Sequence, residues 1–278
     1  MSEINIDEFQ KEGMVIESDR ILIYSKMSCP LGCKYCFVDD LNGDRDGQDF
    51  YLSSGQLELL KTLPENINTI MLGCDTEFFQ DEKEALRVLK NISVLNKDVS
   101  MITKLNLSDN LVEELKVISD DMRLRNNVLS FSVSLPCFES SKIWEPNAPD
   151  VQDRIDTLKK VSEAGIPSMA AIRPLIPNIL TSEVDKIIEL TKPYVFGYFS
   201  GPLYIKDLNN GIITEEDINN PDILITETEP DWMPKGNTFF KIENPKLMLY
   251  LEGKIKESGK AIFNGAAQGI DFIKDNKI

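Results

Sequence analysis

The chain has 278 residues, 42% of them hydrophobic, and 46 Asp and Glu against 30 Lys and Arg give it a formal net charge of −16. That length suits one α/β barrel or about two smaller domains, and the acidic balance argues against nucleic acid as a partner, because affinity for a phosphate backbone comes from basic residues displacing counterions. The opening MSEINIDEF is acidic where a targeting peptide would be basic, and no run approaches the roughly 18 apolar residues of a spanning helix, so the expectation is a soluble, cytoplasmic protein with no membrane partner.

After an N-terminal segment over residues 1–20, short β-rich runs alternate with amphipathic stretches. ILIYS (21–25) predicts the first strand, and a loop carrying three cysteines follows it. SSGQLELLKTL (53–63) opens on serines suited to an N-cap, INTIMLG (67–73) reads as a strand, and DEKEALRVLKNI (81–92) is a helix with acids in its first turn. VSMIT (99–103), the helix 108–118, VLSFSVS (128–134) and the helix 150–166 closed by Gly165 continue the alternation. PSMAAI (167–172), the helix 181–191 and YVFGYF (194–199) complete six strand runs with five helices between them. Most strand runs are nearly continuous in apolar residues, the pattern of parallel strands buried on both faces. Such regularity implies right-handed crossovers and either a barrel or an open doubly wound sheet, with ligands at the C-terminal ends of the strands in both cases.

Past residue 200 the period breaks. A turn-rich acidic stretch reads as a cover over the barrel mouth, followed by a helix at 244–260, a short strand AIFN and a terminal helix. The expected organisation is an N-terminal segment over 1–20, a barrel over 21–205 and a C-terminal covering segment over 206–278 in the same domain.

Cys29, Cys33 and Cys36 are three of only five cysteines in a chain that has no histidine. A structural zinc site needs four ligands, and the fourth would have to be Cys74, Cys137 or a carboxylate. A four-iron cluster held by three thiolates keeps one iron open to another ligand, so the triplet suggests a catalytic cluster, with Gly32 easing the loop and Pro30 stiffening it. A zinc knuckle or three core cysteines are the bland alternatives.

Cys29-x3-Cys33-x2-Cys36 with the aromatic Tyr35, after the first strand of a βα series, resembles the signature of the radical S-adenosylmethionine superfamily. FSVSLPCFESSKIWEPNAPDVQDRIDTLKKVSEAGIPSMAAIRPLIP (131–177), GCDTEFF (73–79) and MITKLNL (101–107) are similar to stretches of its spore photoproduct lyase-like branch. The resemblance covers about residues 20–178 and implies a partial (β/α)6 TIM-like barrel of parallel strands. It further implies that the three cysteines hold a four-iron cluster whose open iron chelates S-adenosylmethionine, which is then cleaved to methionine and a 5′-deoxyadenosyl radical. Carried over by position, Tyr35 lies against the adenine, Lys104 meets the carboxylate, Thr76 the amino end, and Ser132 a polar group of the methionyl or ribose part. A lysine at a strand end is a suitable point charge for a carboxylate, and a hydroxyl can donate or accept.

Cys74 falls where the lyase has a cysteine that returns a hydrogen atom to the product radical, and Cys137 is a second candidate for that role; burial as plain packing is the alternative for both. Glu145 and Arg154 read as a structural ion pair, and Tyr198, Phe199, Tyr204, Trp232 and Phe263 as aromatics that could line the mouth. The lyase's basic, aromatic hairpin for DNA has no counterpart in the acidic last eighty or so residues. The expectation is therefore an enzyme that abstracts a hydrogen atom from a small-molecule or peptide substrate, with a flavodoxin or ferredoxin as reductant. A nucleic-acid lyase and a non-catalytic zinc or iron–sulfur protein are the competing readings.

Overall fold

The computed structural model describes residues 6–25, 27–41, 49–209 and 211–277, so the first five residues of the acidic opening lie outside it. The N-terminal segment is structured: a helix Ile6–Lys11 leads into β1 (Met14–Glu17), which turns through Ser18 and Asp19 and pairs antiparallel with β2 (Arg20–Ile23). The two-residue turn puts Ser18 at φ 58°, in the left-handed region such hairpins use.

The five strands that follow are β3 (Thr69–Leu72), β4 (Asp98–Thr103), β5 (Leu129–Ser134), β6 (Ser168–Ile172) and β7 (Gly197–Ser200), each paired parallel to its predecessor, beginning with β3 on β2. Three short antiparallel strands come next, β8 (Leu203–Ile205), β9 (Leu224–Thr228) and β10 (Phe239–Glu243), in the order β8-β10-β9. β11 (Ala261–Phe263) returns to pair parallel with β7. The main sheet therefore runs β1-β2-β3-β4-β5-β6-β7-β11, an α/β partial barrel with one more parallel strand than the six-unit reading, and the covering stretch is itself a small sheet.

Helices Ser54–Leu60, Glu82–Ile92, Asp109–Leu124, Val151–Glu163 and Thr181–Thr191 cross between consecutive strands, as expected. Their starts are set by side chains: Ser53 accepts from the Gln56 amide in a capping box, Asp81 accepts from Lys83 and Glu84, and Ser108 accepts from Leu111. The helix predicted over 108–118 continues to Leu124, because Met122 extends the buried row of Leu111, Leu115 and Ile118 at helical spacing. β7 begins three residues later than the run YVFGYF (194–199) predicts. Tyr194 instead closes a turn, its N–H donating to the Thr191 carbonyl, and pairing with β6 starts at Gly197.

Period-two alternation explains why the barrel holds a cavity. On β5 all six residues are buried, yet Leu129, Phe131 and Val133 pack in the main core while Ser132 and Ser134 face inward. On β4, Val99 and Met101 pack in that core, and Ser100 and Ile102 face inward. Small inward serines leave space. A separate cluster of Met169, Ala171, Phe199, Phe263 and Ala266 fills the interior beneath that space. The terminal helix Ala266–Asn276 packs over it, held by Lys274 Nζ at 2.5 Å from Asp98 Oδ2 at the start of β4.

Candidate active site

A cavity of about 650 Å³ opens among the C-terminal ends of the strands and beneath the β8-β10-β9 sheet. Of the residues singled out in the sequence, Cys29, Tyr35, Cys36, Cys74, Thr76, Lys104 and Ser132 all lie in its wall. Cys33 is not part of that wall; it is half-buried behind it, where burial pushes its thiol up and Lys104 opposes the shift.

The cysteine loop follows β2 and is short enough to need local turns. Gly32 takes φ 54°, and a Cβ there would come 3.1 Å from Asn147 Nδ2, so glycine serves both conformation and close approach. The Cys36 N–H donates to the Cys33 carbonyl at 3.0 Å, and the Lys34 N–H donates to the Trp144 carbonyl at 2.8 Å, pinning the loop on segment 141–145. Tyr35 is buried, its ring in the cavity wall and its hydroxyl donating to the Glu145 carboxylate.

Glu145 joins three side chains of the site. Its Oε2 sits 2.5 Å from Arg154 Nη1, and its Oε1 accepts from Tyr35 and lies 3.8 Å from Lys104 Nζ, with both Glu145 and Arg154 fully buried. Arg154 also donates to the carbonyls of Pro149 and Ser134 at 3.0 and 3.3 Å. The expected ion pair is present, and it does more than pack, since it ties the cysteine loop to the ends of β4 and β5. The Lys104 ammonium lies 5.8 Å from the Tyr35 ring centroid. Burial pushes its pKa down, but Glu145 and Cys33 more than offset this and hold it above its ordinary value, so Lys104 presents a firm positive charge to the cavity.

The turn after β3 carries the next set. Gly73 adopts φ 77° with a virtual Cβ only 2.9 Å from the Ile102 carbonyl oxygen, and its N–H donates to Tyr51 Oη at 2.8 Å. That geometry aims Cys74 at the cavity, with its Sγ 3.6 Å from the Met71 carbonyl. Burial, reinforced by Asp75, pushes the Cys74 thiol up to about 12, so it stays an S–H at neutral pH. Thr76 Oγ1 accepts from Gln80 Nε2 at 3.3 Å. Glu77 buttresses the two loops: its carboxylate accepts from Thr103 Oγ1 at 2.7 Å and from the Lys104 and Phe79 amides at 2.9 and 3.1 Å. Burial still pushes the Glu77 carboxyl up, against those donors.

Two expectations are not met in place. Cys137 is fully buried in the core, its Sγ 3.8 Å from Glu145 Oε2, and is no part of the cavity wall, because it follows β5 on the side facing the helices. Tyr198 likewise points outward, its hydroxyl 2.9 Å from Thr191 Oγ1, because strand alternation gives the inward position to Phe199. Phe199, Tyr204, Trp232 and Phe263 do line the cavity. Sequence reasoning missed Arg173, Asp75 and Glu77 as wall residues; the acid run GCDTEFF was the available signal for the last two.

The donor set suits an iron–sulfur cluster. Three soft thiols stand on one loop at a cavity lip, and among the described residues no three His, Cys, Asp or Glu side chains are grouped to hold a single ion. A mononuclear site needs its ligands about 2.0–2.3 Å from one centre, whereas each thiolate of a cluster reaches its own iron. The wall also fits a polar cofactor. Ser132 lines the cavity, and its Oγ is buried with no hydrogen-bond partner among the described residues. Such an orphan costs free energy unless a ligand satisfies it.

Comparison with known proteins agrees with this geometry. An uncharacterized protein of Methanocaldococcus jannaschii is 28% identical over 202 residues, covering 69% of this chain and 73% of that protein. A spore photoproduct lyase mutant superposes with a TM-score of 0.65 at 12% identity, covering 85% of this chain and 74% of the lyase. The radical S-adenosylmethionine methyltransferase TsrM of Kitasatospora setae, with cobalamin and an iron–sulfur cluster bound, gives 0.57 at 14% identity, over 90% of this chain and 54% of its own. At these identities the superpositions establish the fold alone. The model of the Radical SAM superfamily matches residues 26–191, more than half of the sequence, and the chain belongs to that superfamily, whose enzymes work with a four-iron cluster and S-adenosylmethionine.

Proposed function

We propose that this enzyme uses the radical derived from S-adenosylmethionine to remove a hydrogen atom from a small-molecule or peptide substrate held beneath the β8-β10-β9 sheet. One observation carries it: Cys29, Cys36, Lys104 and the orphaned Ser132 hydroxyl meet in the wall of one covered cavity. When bound, the cluster and S-adenosylmethionine supply a 5′-deoxyadenosyl radical, the demanding part of the chemistry.

The chain's own residues hold, orient and exclude. Cys29, Cys33 and Cys36 are the cluster ligands. Lys104 sets its charge against the cofactor carboxylate, oriented by Glu145 and backed by Arg154. Ser132 offers its unpaired hydroxyl, Thr76 a second one, and Tyr35 an apolar face fixed by the bond to Glu145. Cys74, protonated and aimed into the same space, is placed to return a hydrogen atom to a product radical. The cover, latched where Tyr24 Oη donates to the Trp232 carbonyl at 2.8 Å, keeps water from a reactive intermediate. An external flavodoxin or ferredoxin is the reductant in this reading. A nucleic-acid substrate is disfavoured by the −16 charge and by a cover carrying Glu227, Glu229 and Asp231.

Anaerobic incubation of iron-reconstituted protein with dithionite and S-adenosylmethionine tests the proposal. Wild type should release 5′-deoxyadenosine and Cys33→Ala should not. Absence of that product from protein with a full complement of iron and sulfide would overturn it.

A further inference from the structure

Four cationic side chains line the cavity, and three of them are matched by carboxylates. Arg20 bonds to Glu17 through Nε at 2.9 Å and Nη2 at 2.5 Å, Lys104 lies 3.8 Å from Glu145, and Lys241 lies 2.8 Å from Glu243. Arg173, directly after β6 at the C-terminal end of the barrel, differs. Among the described residues it makes no ion pair and no hydrogen bond, and its guanidinium instead lies over the Trp232 ring, 5.4 Å from the centroid.

A largely buried cation without a counter-charge is costly, and stacking on an indole offsets only part of that cost. Arginine nonetheless keeps its proton, so a planar fork of N–H donors stands in the cavity wall. The surroundings leave room for the fork. Gly201 has no side chain where a Cβ would come 3.1 Å from Arg173 Nε. A planar fork of this kind pairs two N–H groups with two oxygens of a carboxylate or phosphate.

Arg173 also stands apart from the cofactor end. Its guanidinium lies over Trp232 and beside Gly201 at the cover, whereas Lys104 lies beside Tyr35 and Glu145 at the cysteine loop. Its surroundings are thus the cover, in the same cavity wall as the thiol placed to quench a product radical. We infer that Arg173 binds an oxyanion group of the substrate, a carboxylate or a phosphate, and so positions the reacting carbon between cofactor and Cys74. This rests on the catalytic reading of the cavity and adds the class of substrate to it. Asp75, Glu77, Glu243 and Glu252 share the cavity wall, but the guanidinium acts on an anion at contact, and the charge of the outer surface is screened by salt.

Calorimetric titration of the reconstituted full chain, saturated with S-adenosylmethionine, with inorganic phosphate and separately with succinate tests the inference. Wild type should bind at least one of them at a single saturable site, and the tighter of the two identifies the group as phosphate or carboxylate. Arg173→Gln should weaken that binding about tenfold or more, the scale of charge-assisted hydrogen bonds. Gly201→Ala keeps the charge but crowds the guanidinium, and it should weaken binding severalfold even if Arg173→Gln folds poorly. The inference is overturned if neither anion binds wild type, if both variants bind as wild type does, or if S-adenosylmethionine abolishes anion binding seen without it, since the guanidinium would then hold the cofactor. Anion binding needs no cofactor cleavage. Protein that binds phosphate through Arg173 yet yields no 5′-deoxyadenosine contradicts the catalytic reading alone; protein that yields it but binds neither anion contradicts this inference alone.

Discussion

Ser132 and Glu145 show opposite uses of burial. The Ser132 hydroxyl is dry and unpaired, so Ser132→Ala should leave the cofactor-free protein as stable as wild type or up to about 1–3 kcal/mol more so by urea denaturation. The same variant should bind S-adenosylmethionine more weakly; a loss of stability without a loss of affinity would mark the serine as structural. Glu145 is satisfied by three partners, and Glu145→Gln leaves Arg154 buried without its counter-charge, at a cost of about 3–5 kcal/mol visible as a lowered Tm. For Cys74, a thiol pushed up to about 12 predicts iodoacetamide alkylation that keeps rising about tenfold per pH unit beyond pH 9. A plateau near the ordinary thiol pKa would place Cys74 in open water. Because the folded chain holds this proton more tightly than the unfolded one, Cys74 also makes stability fall as pH climbs from about 9 to about 12. The cysteine triplet was legible because a spacing of three and two residues is local. The Tyr35–Glu145 bond spans 110 residues, and Arg173 is one arginine before a proline, so only the fold shows what either touches.

The strands of the barrel were readable because each is a run of apolar residues buried by helices on one side and by the barrel interior on the other. Strands outside that pattern were not. β1 is four residues long and half-buried at its end, and β9, LITET, is exposed or half-exposed along its length, so neither carries the apolar signature of a core strand. The sequence does not mark the start of β7, because Tyr194, Val195 and Phe196 are as apolar as the strand itself and only pairing with Met169 fixes where it begins. The turn after β3 rests on one element-scale feature, the left-handed Gly73. Gly73→Ala meets both a positive φ and the Ile102 carbonyl, and it should cost about 1–3 kcal/mol and displace Cys74. Denaturation together with the Cys74 alkylation rate checks both consequences; an unchanged rate would separate the turn from the thiol.

Across the whole molecule, the cover and the barrel differ in how firmly they are built. Trp232 connects them, in edge contact with Phe37 at 5.4 Å and Tyr204 at 5.4 Å and stacked against Arg173. Trp232→Ala should therefore speed amide hydrogen exchange in residues 203–243 while β3 to β6 keep their protection, whereas uniform loosening would mean that the cover is part of the core. Everything else depends on the triplet of thiols holding a cluster with one open iron. Electron paramagnetic resonance of the anaerobically reconstituted, reduced protein, recorded with and without S-adenosylmethionine alongside iron and sulfide analysis, tests this most directly. The account predicts about four irons and four sulfides per chain and a spectrum that changes when the cofactor is added. Zinc without iron, or a cluster spectrum indifferent to S-adenosylmethionine, would contradict it.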